Sequence, residues 1–197
     1  MAKISAIKQQ VKRTGRVSVY LDGRYSFSLA RDQLVQLGLK VGQELKPPEV
    51  NRLKTDMAYG KLRDLVYKWL SLRSRSEYEI NEYLRKKTDD EDLKKRIVEE
   101  LKLYNYVDDN KFSEMWIRNR RLLKPVSKYR LRQELLQKRV PQEIIAESLD
   151  SAKLDDLAAA KAVIARRGQR YADQQKLMAY LARQGFSYDV IKRALAD

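Results

Sequence analysis

The chain contains no cysteine and no histidine. Without cysteine there is no disulfide, no thiol nucleophile and no thiolate metal site. Without histidine the commonest general base and the commonest transition-metal ligand are gone. Glycine and proline are scarce, seven and four in 197 residues, which favours long regular elements over a loop-rich fold. The glycines never form a GxGxxG or GxxxxGK phosphate loop. No run approaches eighteen apolar residues, and the opening "MAKISAIKQQ" has no apolar signal core. A cytoplasmic protein with no membrane segment, no cofactor and no metal is expected. Chemistry, if any, would have to come from carboxylates with Mg²⁺.

Positive charge is abundant. There are 42 Lys and Arg against 27 Asp and Glu, a net charge of +15. A field of that sign attracts nucleic acid, an acidic membrane or an acidic protein surface, and the lack of any apolar segment makes membrane the weakest of the three. Apolar residues make up 43% of the chain, enough for a core, and tyrosine dominates the aromatics, twelve against three Phe and two Trp. Tyrosine suits half-buried positions because it joins an apolar body to a polar tip.

Residues 1–30 read as strand. "ISAIKQQV" alternates apolar and polar, as does "RVSVYLDGRYSFSL". The Asp22-Gly23 pair inside the latter marks a two-residue hairpin turn. "ARDQLVQLGL" reads as a short helix stopped at Gly38. "KVGQEL" reads as a turn and a short extended piece. Pro47-Pro48 then opens a helix through "EVNRLKTDMA".

From about Ala58 the chain reads helical almost throughout, and it repeats itself. Leu84, Leu135 and Leu181 fall at equivalent positions, as do Ile80, Leu131 and Leu177. Ile97 with Leu101 matches Ile145 with Leu149 and Ile191 with Leu195. The spacing is 51 residues from Leu84 to Leu135 and 46 from Leu135 to Leu181. Each copy follows another amphipathic helix, so the unit is three helices, here called a, b and c. A period of this size marks stacked helical repeats in which no unit buries its apolar face alone. The expected fold class is mostly α: tandem three-helix repeats in an elongated curved array, with a small N-terminal β-hairpin and helix module. The expected divisions are 1–57 for that module and 58–108, 109–153 and 154–197 for the repeats. A monomer is expected.

Several motifs have a structural reading that outweighs a chemical one. Ser76 with Glu79 forms a capping box. Ser127 and Ser187 stand at helix starts, and Pro141 opens a helix. Asp89, Asp90, Glu91 and Asp92 are sequential rather than spaced to converge on Mg²⁺, so they suit a helix N-terminus. Asp108-Asp109 and Asp155-Asp156 recur just before successive a helices, which again favours capping. Trp69 and Trp116 fit core packing better than a cofactor box.

The basic residues are unevenly spread. Ile117 to Arg132, "IRNRRLLKPVSKYRLR", holds seven basic residues and no acid. Arg118, Arg120, Arg121, Lys124, Lys128, Arg130 and Arg132 could form a polyanion track with Tyr129 for stacking. The competing reading is ordinary solvated helix surface. Arg166, Arg167 and Arg170 in "RRGQRY" form a smaller candidate. The apolar stripe Phe112, Met115, Trp116 and Leu123 should face the core, leaving Arg118, Arg120 and Arg121 in solvent, where their loss should cost little stability.

"RSRSEYEINEYLRKK", "YNYVDDNKFSEMWIRNR" and the terminal "LARQGFSYDVIKRAL" resemble the RecX family of bacterial regulatory proteins. "ISAIKQQVKRTGRVSVYLDGRYSFSL" followed by "LVQLGLKVGQEL" resembles its longer members. Gly-Phe-Ser at 185–187 and Val-Asp-Asp-x-x-Phe at 107–112 are the most specific pieces. Arg139-Val140-Pro141 departs from a frequent Gly-Val/Ile pair. The resemblance implies a non-enzymatic protein that binds the RecA recombinase along its nucleoprotein filament. It would limit filament growth and inhibit RecA's ATPase and strand-exchange activities in recombinational repair and the SOS response. Contact with single- or double-stranded DNA, without strong sequence preference, fits the charge. The alternatives are a helix-turn-helix transcriptional regulator built on the b–c pairs and a Mg²⁺-dependent nuclease.

Overall fold

The computed structural model describes residues 1–11, 13–171 and 173–196, with Arg13 described for its backbone alone. The chain divides into two compact units, residues 1–69 and 70–197.

Strand alternation builds the first unit. Strands β1 (Ala2–Gln10), β2 (Arg13–Leu21), β3 (Arg24–Ala30) and β4 (Glu44–Leu45) form one sheet in the order β3-β2-β1-β4. Its pairings are antiparallel. Asp22 and Gly23 take φ of 48° and 81° at the β2–β3 turn, the left-handed pair that a two-residue hairpin of native twist requires. Ile4, Val17, Val19, Leu21, Phe27 and Leu29 point to one face and are buried. Helix α1 (Arg31–Gln36) contributes Leu34 to that core, and helix α2 (Pro47–Leu70) contributes Val50, Leu53 and Met57. The opposite face is polar, as period two demands of a half-buried sheet.

α2 is longer than the sequence pattern indicates. "PPEVNRLKTDMA" and "LRDLVYKWL" form one continuous helix of 24 residues. Gly60 lies inside it and does not break it; a mid-helix glycine costs only about 1 kcal/mol relative to alanine.

The second unit is helical: α3 (Glu77–Arg85), α4 (Glu91–Leu103), α5 (Asp109–Leu123), α6 (Lys128–Gln137), α7 (Gln142–Ser151), α8 (Asp156–Arg167), a 3-10 turn (Gly168–Arg170), α9 (Gln174–Arg183) and α10 (Tyr188–Ala196). The equivalent positions are core positions, except that Leu195 is half-buried and Ala194 takes the buried place beside Ile191. Leu84, Leu135 and Leu181 are all 0% exposed, and Ile80, Leu131 and Leu177 are buried beside them. Among the described residues no helix is long and apolar enough to cross a membrane.

Two corrections follow from the packing. Phe112, Ser113 and Ile117 form the buried face of α5, with Trp116 half-buried, whereas Met115 and Leu123 are exposed. Leu123 is the last residue of the helix. In addition, α5, α6 and α7 enclose one apolar cluster and α8, α9 and α10 another. Each trio thus buries an apolar face within itself.

Polar contacts at helix ends join successive trios, and they recur. Ser76 caps α3 by accepting from Glu79 N–H at 3.3 Å, and its hydroxyl donates to the Lys138 carbonyl at the end of α6, 2.8 Å away. Ser127 caps α6 by accepting from Arg130 N–H at 3.2 Å and donates to the Gln184 carbonyl at the end of α9, 2.8 Å away. The paired aspartates divide the work. Asp108 and Asp155 cap their own helices, α5 and α8. Asp109 instead accepts from Glu77 N–H at the start of α3, and Asp156 from Lys128 N–H at the start of α6. Each seam therefore satisfies donors and acceptors that helix ends leave open.

Gly185 follows the second of these seams. Its φ is +87°, and an added Cβ would lie 2.8 Å from both Ser127 Oγ and Tyr129 Cδ1. At the matching position Arg139 holds φ of 55°, and its guanidinium lies over the Tyr78 ring, 5.9 Å from the centroid.

Glu79 is the charged member of the first seam. It receives Arg73 at 2.8 Å and Lys138 at 2.7 Å. Burial pushes its carboxyl up, but hydrogen bonds and charge from Arg73 and Lys138 outweigh burial and hold it down to about 2. A depressed carboxyl stabilises the fold fully above its ordinary value of 4.5 and loses that contribution as pH falls toward about 2. Glu79→Gln should therefore lower stability by roughly 2 kcal/mol at pH 7. The deficit should shrink between pH 4.5 and 2. Urea melts across that range test it; a deficit constant with pH would assign the loss to packing.

Candidate polyanion-binding cleft

The second unit brings together basic residues that lie far apart in sequence. A cleft of about 480 Å³ is lined by Arg120 and Lys124 from the end of α5 and its following loop, Arg130 from α6, Arg166 and Arg167 from the end of α8, and Arg170 from the 3-10 turn. Pro125, Val126, Val163, Tyr180 and Gln184 complete the wall, and no carboxylate among the described residues lines it. Two helices thus deliver arginines to the cleft from their C-terminal turns, where cations suit the helix dipole.

The six cations are not equivalent. Arg120 is tied to Glu134 by two parallel bonds, Nε to Oε2 at 2.8 Å and Nη2 to Oε1 at 2.7 Å. The Trp116 indole donates to the same carboxylate at 3.0 Å. Arg120 therefore does not stand in solvent as the sequence suggested; its side chain is 26% exposed. The stripe assumed for α5 placed it on the wrong side, because the helix rolls to bury Ser113 and Ile117. Arg130 lies 3.6 Å from Glu134 and donates to Gln184 Oε1 at 2.7 Å. Arg167 donates to the Tyr180 hydroxyl at 3.1 Å, and Tyr171 stacks on Tyr180 with centroids 5.2 Å apart. Arg167 is exposed, as are Lys124, Arg166 and Arg170, for which no ion pair or side-chain hydrogen bond is seen among the described residues.

The remaining predicted residues lie elsewhere. Arg118 and Arg121 border a second hollow with Glu114, Leu122, Ser148 and Ala152. Arg121 also donates to the Ala152 carbonyl at 3.2 Å. Lys128 pairs with Asp150 at 2.6 Å. Arg132 is exposed on α6 and lines neither hollow. The sequence segments 117–132 and 166–170 thus contribute to one cleft, but four of the seven basic residues in the longer segment fall outside it. Tyr180 and Gln184, which frame the cleft, carried no signal in the sequence beyond their place in the third repeat. Asp90, within the acidic run, caps α4 through Leu93 N–H. Among the described residues no group of three or more acidic side chains is arranged to hold a metal ion.

Three family models match parts of this chain in both units. The RecX regulatory protein N-terminal domain matches residues 2–46, the second RecX three-helix domain 108–149 and the third 153–195. The Regulatory protein RecX of Bacillus pumilus is 32% identical over 205 residues, covering 100% of this chain and 78% of that protein. The chain belongs to the RecX family. The Regulatory protein RecX of Clostridium botulinum is 27% identical, covering 100% of this chain and 96% of its own. A crystal structure of regulatory protein RecX superposes over the full length of both chains with a TM-score of 0.71 at 27% identity. RecX from Lactobacillus salivarius shares the fold with a TM-score of 0.63, at 21% identity over 71% of this chain.

The cleft's ion pairing separates supporting residues from available ones. Arg120→Ala should cost roughly 2 kcal/mol, because it removes two charge-assisted bonds and strands Glu134. Lys124→Ala, Arg166→Ala and Arg170→Ala should each stay within about 0.5 kcal/mol. Chemical denaturation of the four variants checks this; equal costs would contradict the division.

Proposed function

We propose that this chain regulates RecA recombinase filaments by binding them, limiting filament growth and inhibiting RecA's ATPase and strand exchange. Its setting is recombinational DNA repair and the SOS response. The chain supplies binding and no chemistry of its own. RecX family membership supports this reading, and the observation that carries it into residues is the cleft lined by six cations. Lys124, Arg166 and Arg170 suit acidic protein surface or phosphate. Arg167 and Arg130 are oriented by Tyr180 and Gln184. Forked arginine contacts favour carboxylate and phosphate alike.

For the α6–α7 pair the helix-turn-helix reading is disfavoured by charge. The helix that would enter a groove is α7, and its exposed side carries Glu143, Glu147 and Asp150. Such a face repels the DNA backbone.

Lys124, Arg166 and Arg170 replaced together by Glu should leave unfolding nearly unchanged. The same variant should weaken inhibition of RecA's DNA-dependent ATPase about tenfold or more, equivalent to about 1.4 kcal/mol. A titration of RecA with both proteins reads this directly. Full inhibition by a normally folded variant would place the contact elsewhere.

A further inference from the structure

We propose that the open face of the N-terminal sheet is a binding platform for single-stranded nucleic acid, with Tyr20 and Tyr25 stacking on unpaired bases and Lys8 and Arg16 holding the backbone. This does not depend on the reading of the cleft, which lies in the other unit.

The three long strands contain Lys3, Lys8, Arg13, Arg16 and Arg24 and not one Asp or Glu. One face of those strands is committed to the core. The other presents three cross-strand rows set by the register. Ala6, Tyr20 and Tyr25 align in one; Lys8, Ser18 and Ser28 in the next; Arg16 pairs with Ala30 in the third. The side chains confirm that they share this face. Lys8 Nζ lies 5.3 Å from the Tyr20 ring centroid, and Tyr20 meets Tyr25 edge to face at 6.1 Å. Gln10 donates to Ser18 Oγ at 3.1 Å, and Arg16 Nη2 donates to the Ser28 carbonyl at 3.1 Å.

These residues are poorly explained by folding alone. Tyr25 is 59% exposed, so its ring contributes little burial. A bulge between Val19 and Tyr20 turns Tyr20 and Tyr25 to the same side although Phe27 pairs with Val19 in the core. Rows along a strand are two residues, about 7 Å, apart. An aromatic row beside a row of Lys and hydroxyls therefore offers stacking and phosphate contact at successive steps. Aromatic platforms flanked by cations bind single strands with little sequence preference, each stacked base contributing on the order of 1–3 kcal/mol. Duplex is the poorer ligand. The major groove admits a helix or a two-stranded ribbon, not a flat three-stranded face, and stacked bases offer no free ring to tyrosine.

The test uses the full chain with fluorescein-labelled oligo(dT), without RecA. Tyr20→Leu with Tyr25→Ser should weaken binding about tenfold or more while leaving the salt slope unchanged. Lys8→Ala should instead reduce the log–log salt slope by about 0.7. Irradiating the unaltered protein with oligonucleotide carrying 5-iododeoxyuridine should give adducts on Tyr20 or Tyr25, which holds even if a variant folds poorly. Unchanged affinity in the folded tyrosine variant, or adducts confined to 117–132 and 166–170, would overturn the proposal. So would tyrosine variants that keep oligo(dT) binding but lose RecA inhibition, since the face would then meet protein.

Discussion

The Ser127 hydroxyl makes two bonds at once. It accepts from Arg130 N–H at the start of α6 and donates to the Gln184 carbonyl at the end of α9, and Ser127 is fully buried. A helix start lacks acceptors for its first N–H groups and a helix end lacks donors for its last carbonyls. One hydroxyl supplies both. Its removal would leave a buried donor and a buried acceptor unpaired, at about 1–3 kcal/mol each. Ser76 does the same between α3 and α6. At the start of α9 the matching position is Asp173, exposed, which caps through Gln175 N–H. The seam chemistry thus follows burial: serine where a helix end is covered, aspartate where it meets water.

The cleft is a consequence of that seam. Gln184 accepts from Ser127 through its carbonyl and from Arg130 through its side chain, so the joint between α6 and α9 forms one wall. With the joint closed, the ends of α5 and α8 converge and bring their arginines together. Like charges so placed repel, and Glu134 offsets part of that by pairing with Arg120 and Arg130. The other four cations around the cleft meet no carboxylate there among the described residues, and an incoming anion would relieve their repulsion. Structure and proposed binding draw on the same arginines in unequal shares.

Much of this was legible in the sequence, for identifiable reasons. The hairpin was readable because Asp22-Gly23 and alternation specify it locally. The repeat was readable because Leu84, Leu135 and Leu181 must each be buried, and the capping role of Ser76 because its partner Glu79 is three residues away. What escaped notice depends on long-range placement. The second bond of each serine reaches a carbonyl 62 or 57 residues onward, and nothing local announces it. Arg120 was misjudged because Met115 and Leu123 look apolar enough to define a core face, whereas Ser113, small and polar, is the residue that fits against the core. The paired aspartates were recognised as caps, but not that Asp109 and Asp156 cap a different helix from the one they begin. For the sheet's open face, alternation defines a polar side without indicating what it meets.

Amide hydrogen exchange on Ser127→Ala tests the seam most directly. If one hydroxyl joins two trios, protection should fall in two places distant in sequence: the first turn of α6 around Arg130, and the residues flanking Gln184 at the end of α9. Protection in α3 and α4 should remain as in the unaltered protein. Loss confined to the first turn of α6 would make Ser127 an ordinary helix cap and would contradict the account.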